Sequence, residues 1–385
     1  MICFLKSRQA GTRRATANRF REIAKRLQEA RMPFWTAPPM ARLATEKAGA
    51  TNPRPVNIDD PPGREAAGID TDDICEMIEG RTVLVTGAGG SIGSELCRQV
   101  ATFSPRTLLM VERSEAALLP IEQELAGHGP RGVIVPLVAD ILDARRMEMT
   151  FARFRPHAVF HAAAHKHAPM MESQPAEAIR NNVLGTARIA DLAYEFKAER
   201  FLLVSTDKAI HPTSVMGATK RMAEIFVQSM QTRDGAAVKF TAVRFGDVLG
   251  PAKVTHPEIA RFFMTISEAV SLVLQSAARA EGGEIFVLDR GEAPGTDIEI
   301  EELRPNEKLH EELNRAEARA RPGHHPKIRR LVSEPLPYFS AGAVLNELAA
   351  SIQINRTNPD EVKTLLKKII PEYKPELGDP APAGS

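Results

Sequence analysis

Cysteine is scarce: Cys3, Cys75 and Cys97 are the only three in 385 residues, and they are scattered without a C-x-x-C pair. An odd, dispersed set excludes a disulfide framework or a zinc-finger arrangement and fits a reducing, cytoplasmic setting. Net charge is small too, +1 from 50 basic and 49 acidic side chains, so no global field draws the chain to nucleic acid or to an anionic membrane. No apolar run approaches the roughly 18 residues that a spanning helix needs. Residues 1–5 are too short for a signal-peptide core, and no internal repeat is visible. What is present is an ordinary soluble composition, 43% hydrophobic and 26% charged, in a chain long enough for one large domain or two.

The first eighty residues differ from the rest. Arg13, Arg14, Arg19, Arg21, Lys25, Arg26 and Arg31 make the start basic, while Phe20, Ile23, Leu27 and Ala30 recur at helical spacing. The pattern predicts an amphipathic basic helix, either docked on the body or lying against a membrane surface or a partner. Residues 33–72 are rich in Pro, Ala and Gly and read as a linker with room for one short helix.

From residue 81 onward short apolar strands alternate with longer helical stretches. Strands are expected at 82–86, 107–111, 133–138, 158–162, 201–205, 240–245 and 284–288, with helices at 91–101, 115–126, 143–154, 176–196 and 218–231. Alternation of this kind predicts an α/β, doubly wound parallel sheet over residues 81–250. A reduced substrate-binding portion is expected over 251–335, with helices at 266–280 and within 303–320 and a last sheet strand at 284–288. C-terminal helices follow over 336–370, one of them at 360–369 capped by Asn358-Pro359, and an unstructured Pro/Gly tail over 371–385.

Val83-Leu84-Val85-Thr86-Gly87-Ala88-Gly89-Gly90-Ser91-Ile92-Gly93 reads as a buried strand, a glycine turn and a helix start. Gly87 permits the turn, Gly90 lets backbone approach a pyrophosphate, and Gly93 allows close helix–sheet contact, with phosphates on the N–H groups near Ser91. Glu112, about 20 residues on and after a second strand, is placed to accept hydrogen bonds from a ribose, which favours NAD; Arg113 beside it leaves NADP open. Asp140, after the third strand, is placed to meet adenine. Gly89, Ile92, Ser114, Ile141 and Ala162-Ala163-Ala164 are read as lining the same site.

Ser205-Thr206-Asp207-Lys208 follows the strand at 201–205, so an acid and an amine stand side by side at a strand end. They form either a proton-handling pair, in which desolvation lowers the amine's pKa, or a surface ion pair on a loop. Met216 and Lys220, four apart, share a helical face. His161, His165 and His167 lack a carboxylate at ligand spacing and read as cleft-lining side chains, with no metal. Arg304 is a candidate phosphate clamp or a solvated arginine.

Together these residues resemble the extended short-chain dehydrogenase/reductases that act on nucleotide sugars, in particular the capsular-polysaccharide group of UDP-N-acetylglucosamine 4,6-dehydratases. Matching stretches are 86–96, 160–172, 181–186, 205–224, 243–250, 255–265, 282–289 and 303–313, within about residues 55–313. Met216 stands where short-chain dehydrogenases usually carry a tyrosine, as in the longer, membrane-anchored members. Residues 20–80 resemble the segment joining their two halves, and the anchor is not found here. The resemblance implies that Lys208 abstracts the sugar's C5 proton and Asp207 protonates the departing C6 hydroxyl. Thr206 would bond the C4 oxygen and Lys220 would hold the nicotinamide ribose. Lys166 and Asn182 would line the cleft, Glu172 and Asp247 would lie on the substrate side, and Arg304 would meet the UDP diphosphate. A homo-oligomer is expected.

The chain departs from the family pattern in three places. A helix-bearing insert expected after Phe245 is absent, since Gly250-Pro251-Ala252-Lys253 runs into Val254-Thr255-His256-Pro257, and a second helix expected between Asp289 and Leu303 has no room. Asp247 replaces the usual asparagine. Three readings follow: a 4,6-dehydratase of a UDP-N-acetylhexosamine, a 4-epimerase or simple dehydrogenase, and a catalytically impaired dinucleotide-binding scaffold.

Overall fold

A computed structural model describes residues 35–36, 54–55, 70–127, 133–246, 253–254, 264–288, 299–300, 319–332, 335–354 and 358–375. The chain divides into two compact units, Met1–Ala67 and Gly68–Ser385. In the first, Trp35–Thr36 pairs antiparallel with Arg54–Pro55; the expected basic helix lies outside the described residues. The second unit begins earlier than composition suggested. Helix α1 (Thr71–Ile78), N-capped by Asp70, buries Ile74, Met77 and Ile78, and Arg279 pairs with both Asp70 and Asp73. Residues 71–78 are therefore part of the body, not linker, because three apolar side chains at helical spacing give them a face to bury.

One sheet organises this unit. Its strands are β1 (Thr82–Thr86), β2 (Thr107–Glu112), β3 (Val133–Val138), β4 (Ala158–His161), β5 (Arg200–Val204), β6 (Lys239–Arg244), β7 (Ile285–Leu288), β8 (Arg319–Pro322) and β9 (Ile328–Val332). Their order is β8-β9-β7-β6-β5-β4-β1-β2-β3. All pairings from β7 to β3 are parallel, while β9 runs antiparallel to both β7 and β8. The central β1 and β4 are buried along their whole length, whereas β3, at the edge, exposes Val133, Pro136 and Val138. A proline is tolerated there because one side of an edge strand needs no ladder donor. Strand order reverses between β1 and β4, which opens a crevice beyond their carboxyl ends, the usual ligand position in a doubly wound sheet.

Helices α2 (Ser91–Thr102), α3 (Glu115–Gly127), α4 (Ala144–Phe154), α5 (Ala168–Glu172), α6 (Pro175–Ile179), α7 (Thr186–Glu195), α8 (Val215–Ser229) and α9 (Ile266–Ala278) follow in sequence. A π-helical turn, Arg180–Gly185, joins α6 to α7. Every residue of α8 except Ile225 is buried, because the sheet, α7 and the C-terminal helices α10 (Tyr338–Ile354) and α11 (Pro359–Ile369) all pack on it. Asn358 caps α11 by accepting from the N–H groups of Asp360 and Glu361.

The helix expected within 303–320 lies outside the described residues up to 318, and Arg319–Pro322 forms β8 by pairing antiparallel with β9. One expectation is corrected toward the C-terminus. The tail expected to be unstructured from 371 is packed through 375: Tyr373 is fully buried in the main apolar cluster. Lys253–Val254 pairs parallel with Glu299–Ile300; otherwise residues 247–263 and 289–318, which carry most of the shortened portion, lie outside the described residues. Among the described residues no helix is long and apolar enough to cross a membrane.

Candidate active site

The glycine turn after β1 is shaped by three close approaches. Gly87 has φ +69°, and a Cβ there would lie 2.8 Å from the Ala163 nitrogen. A Cβ on Gly93 would lie 1.9 Å from the Gly87 carbonyl oxygen, so only glycine lets α2 start this near the turn. A Cβ on Gly89 would strike Ala117 of α3 at 2.6 Å. Gly90 is the N-cap of α2 and supplies no side-chain cap, and Gly90 and Ser91 are exposed while Ile92 is half-buried. Donors at such a helix start suit an anionic oxygen. The turn thus fits a dinucleotide pyrophosphate.

Around it, Glu112 closes β2 and accepts from the N–H groups of Gly89 at 3.2 Å and Ser114 at 3.0 Å. Its carboxylate is therefore held beside the glycine turn, while Arg113 and Ser114 are exposed. Asp140 accepts from the Leu142 N–H at 2.9 Å, and the Ile141 side chain lies where a Cβ on Gly185 would stand, 2.6 Å away. Ala162, Ala163 and Ala164 are half-buried, and the Ala162 N–H donates to the Thr86 carbonyl at 3.2 Å. Lys166 is exposed.

The acid–amine pair stands one strand away from β4. Thr206 leaves β5 extended and caps a single 3-10 turn, Asp207–Ala209. Its hydroxyl donates to Asp207 Oδ1 at 3.0 Å, and its oxygen also accepts from the Lys208 N–H at 3.3 Å. Lys208 Nζ stands 3.9 Å from Asp207 Oδ1, with the lysine side chain 31% exposed and the aspartate 2%. A buried carboxylate beside a half-open amine is not a solvated loop pair. Lys220 Nζ donates to the Val204 carbonyl at 2.7 Å, so α8 is tied to the strand that carries this turn. Burial pushes the Lys220 amine down to about 8, with the Glu224 charge partly opposing. Met216 is buried one turn earlier on the same helix.

Residues 83–333 match the model of a family described as polysaccharide biosynthesis protein. The chain belongs to that family. It is 44% identical to the capsular polysaccharide biosynthesis protein CapD of Staphylococcus aureus over 298 residues, 68% of this chain and 50% of that one. It is 28% identical over 265 residues to an inverting UDP-N-acetylglucosamine 4,6-dehydratase of Campylobacter jejuni, covering 61% of this chain and 78% of that one. Among solved structures it is similar to Pen from Bacillus thuringiensis, with TM-score 0.60 and 25% identity over 71% of this chain and 98% of that one. The chain spans about half the length of the first curated relatives it matches.

Several expectations for side chains are corrected by geometry. Asn182, expected to line the cleft, is fully buried in the π turn with its amide used up inside the protein. It donates to the His165 carbonyl at 3.0 Å and the Thr219 hydroxyl at 3.1 Å, and accepts from the His165 N–H at 2.8 Å and Asn181 at 3.0 Å. It shapes the 162–167 loop from behind. Glu172, expected on the substrate side, accepts from the Val215 N–H at 2.6 Å and pairs with Lys363 at 3.5 Å, because α5 lies against the start of α8. His161, expected in the cleft, points into the core between Thr86 Oγ1 at 2.7 Å and Thr186 Oγ1 at 3.0 Å. Thr186 donates to the Asn182 carbonyl, so its oxygen accepts from His161 Nε2, and Nδ1 accepts from Thr86. Burial, with the Lys220 charge adding, holds this imidazole down to about 3 and hence neutral. His165 stays half-buried 3.4 Å from Glu177, and His167 is exposed. Asp247 and Arg304 lie outside the described residues.

One cluster was not anticipated. Glu224, fully buried one turn beyond Lys220, accepts from Ser205 Oγ at 2.7 Å, from Arg244 at 2.7 and 2.5 Å, and from Arg221 at 3.1 Å. Burial alone would raise its carboxyl pKa, but Arg244, then Arg221 and Ser205, hold it below the usual range. Gly217 was also missed. A Cβ there would lie 2.3 Å from the Lys208 carbonyl, so glycine lets the Asp207–Ala209 turn press onto α8. Its one sequence signal is a glycine in a helical run, which costs helix stability unless packing requires it.

Proposed function

We propose that this chain is a nucleotide-sugar 4,6-dehydratase acting on UDP-N-acetylglucosamine or a related UDP-N-acetylhexosamine, with NAD as resident cofactor. The observation that carries the reading is the Asp207–Lys208 pair, 3.9 Å apart, on a turn fastened to the helix that bears Lys220. Similarity to an enzyme printed as a UDP-N-acetylglucosamine 4,6-dehydratase supports the substrate class. The glycine turn would hold the pyrophosphate, Glu112 the adenosine ribose, Asp140 the adenine, and Lys220 the nicotinamide ribose. A carboxylate already facing the turn favours NAD over its 2′-phosphorylated form.

When bound, the nicotinamide supplies a reversible hydride acceptor, which makes oxidation at sugar C4 and reduction at C6 balance without an external reductant. The chain's own groups handle protons. Thr206 would bond the C4 oxygen, whose carbonyl character acidifies C5–H. Lys208 takes the C5 proton as general base, and Asp207 gives a proton to the C6 hydroxyl as it leaves, so one water is lost across C5 and C6. The C4 hydroxyl proton leaves through Thr206 to water as C4 is oxidised. When hydride returns to C6, the Lys208 ammonium, exchanged with solvent, gives a proton back to C5, and Asp207 recovers its proton from water, so the net change is the loss of one water. Met216 carries no transferable proton, which leaves this chemistry to the pair.

The test is product analysis by NMR after incubating the full chain with NAD and UDP-N-acetylglucosamine. A 4-keto-6-deoxy sugar without net NADH is expected. Net NADH would indicate a dehydrogenase, UDP-N-acetylgalactosamine an epimerase, and NAD binding without UDP-sugar binding a scaffold; each would overturn the proposal.

A further inference from the structure

Residues 363–374, beyond the family-matched 83–333, hold the catalytic loop at three points. Lys374 N–H donates to the Pro212 carbonyl at 3.0 Å. Pro212 lies between Lys208 and the start of α8, and the space of a Cβ on Gly217 is bounded by Lys208 O at 2.3 Å and Pro212 Cβ at 3.2 Å. The loop is therefore clasped between α8 on one side and the C-terminal segment on the other. Glu372 accepts from Arg221 Nε at 3.4 Å; Arg221 donates to Glu224 at 3.1 Å; Glu224 accepts from Ser205 Oγ at 2.7 Å. That chain of charges ends on the residue just before Thr206-Asp207-Lys208. The third point is Lys363 of α11, which pairs with Glu172, whose other oxygen takes the N–H of Val215 where the loop enters α8.

The contacts are sheltered, which is why they can position rather than merely decorate. Arg221 and Glu372 side chains are 10% and 13% exposed, so their attraction is less screened than that of a surface pair. Tyr373, between the two contacting residues, is fully buried in the main core cluster and fixes the segment in place. A half-buried amine that must meet a C–H bond within a few tenths of an ångström depends on such support, since small misplacements of catalytic groups are costly.

We propose that residues 372–374 form a positioning strap for the Ser205–Lys208 turn, with Glu372 acting through Arg221 and Glu224, and the Lys374 N–H acting through Pro212. The strap's catalytic meaning rests on the dehydratase reading of that turn; its structural meaning does not. Glu372 and Lys374 are positioning residues and touch no substrate.

Glu372→Gln removes the charge, and Lys374→Pro removes the single N–H donor, while both keep the Tyr373 side chain. Amide hydrogen exchange of the full chain is the first readout. Each variant should exchange residues 205–214 about tenfold faster, with the β1–β4 amides unchanged, as local opening rather than unfolding requires. The second readout is kinetic: kcat should fall about tenfold or more while KM and NAD affinity stay within about twofold. Lys368→Ala, on the exposed Glu347 pair of α10 and α11, should change neither. Unchanged exchange at 205–214 in both variants would overturn the strap, as would a rise shared equally by β1–β4. Should the wild type give no dehydrated sugar, the functional reading fails alone, and the exchange result still decides the strap.

Discussion

Lys220 Nζ and the Val204 carbonyl oxygen meet at 2.7 Å. This bond joins the middle of α8 to the last residue of β5 and thereby sets the distance between the Lys220 amine and the Thr206–Lys208 turn. It also strands a cation in the core. The amine's pKa, about 8 when folded against an ordinary 10.5, means that between those values the unfolded chain holds a proton that the folded one lacks. Stability therefore rises with pH across that window, and the full penalty is present below it.

Comparing wild type with Lys220→Met isolates the effect. Between pH 7.5 and 9.5 the wild type should gain about 2 kcal/mol relative to the variant, since each pKa unit is worth roughly 1.4 kcal/mol. Urea melts at the two pH values measure it. A difference that stays flat would show that the amine is not desolvated as described.

Gly93→Ala places a methyl group 1.9 Å from the Gly87 carbonyl. The turn must shift, at a cost of about 1–3 kcal/mol, and NAD affinity should fall by about tenfold or more in calorimetry while the sheet stays folded by circular dichroism. Unaltered affinity would mean that the phosphates lie elsewhere.

Glu224→Gln should be far more destructive than an exposed Glu→Gln change. It leaves Arg244, 2% exposed, without its counter-charge, and breaking such a buried pair costs about 3–5 kcal/mol. Because the native carboxyl is held below its ordinary 4.5, its contribution is full above about pH 4.5 and declines as pH falls through the lower folded value. Thermal melts at pH 7 and pH 4 should show the wild type's advantage over the variant beginning to narrow at the acidic end, by no more than about 1 kcal/mol; an advantage that grows as pH falls would contradict the network's role.

Much of the fold was legible because its signals are local. The run Val83-Leu84-Val85 followed by spaced glycines gives strand, turn and helix start within about a dozen residues, and the structure places β1 and α2 there. Asn358 before Pro359 likewise marked the start of α11. What could not be read were polar side chains whose partners come from distant segments. Asn182 meets Thr219 of α8, and Glu172 meets Val215 and Lys363. A motif shows that such residues sit near the cleft but not which way they point. His161 ends a strand, and strand alternation turned it inward, between two threonine hydroxyls rather than toward a ligand. Tyr373 stood in a Pro-rich stretch, and its burial depends on an apolar cluster assembled from distant segments.

The most direct measurement of the central claim is solvent deuterium uptake at C5. Full-length chain, NAD and UDP-N-acetylglucosamine in D2O should give a product labelled at C5. Lys208→Ala should slow that labelling by about 100-fold or more, the usual reach of general-base catalysis, while NAD binding remains. Labelling at the wild-type rate in Lys208→Ala would contradict the assignment of the C5 proton to this amine.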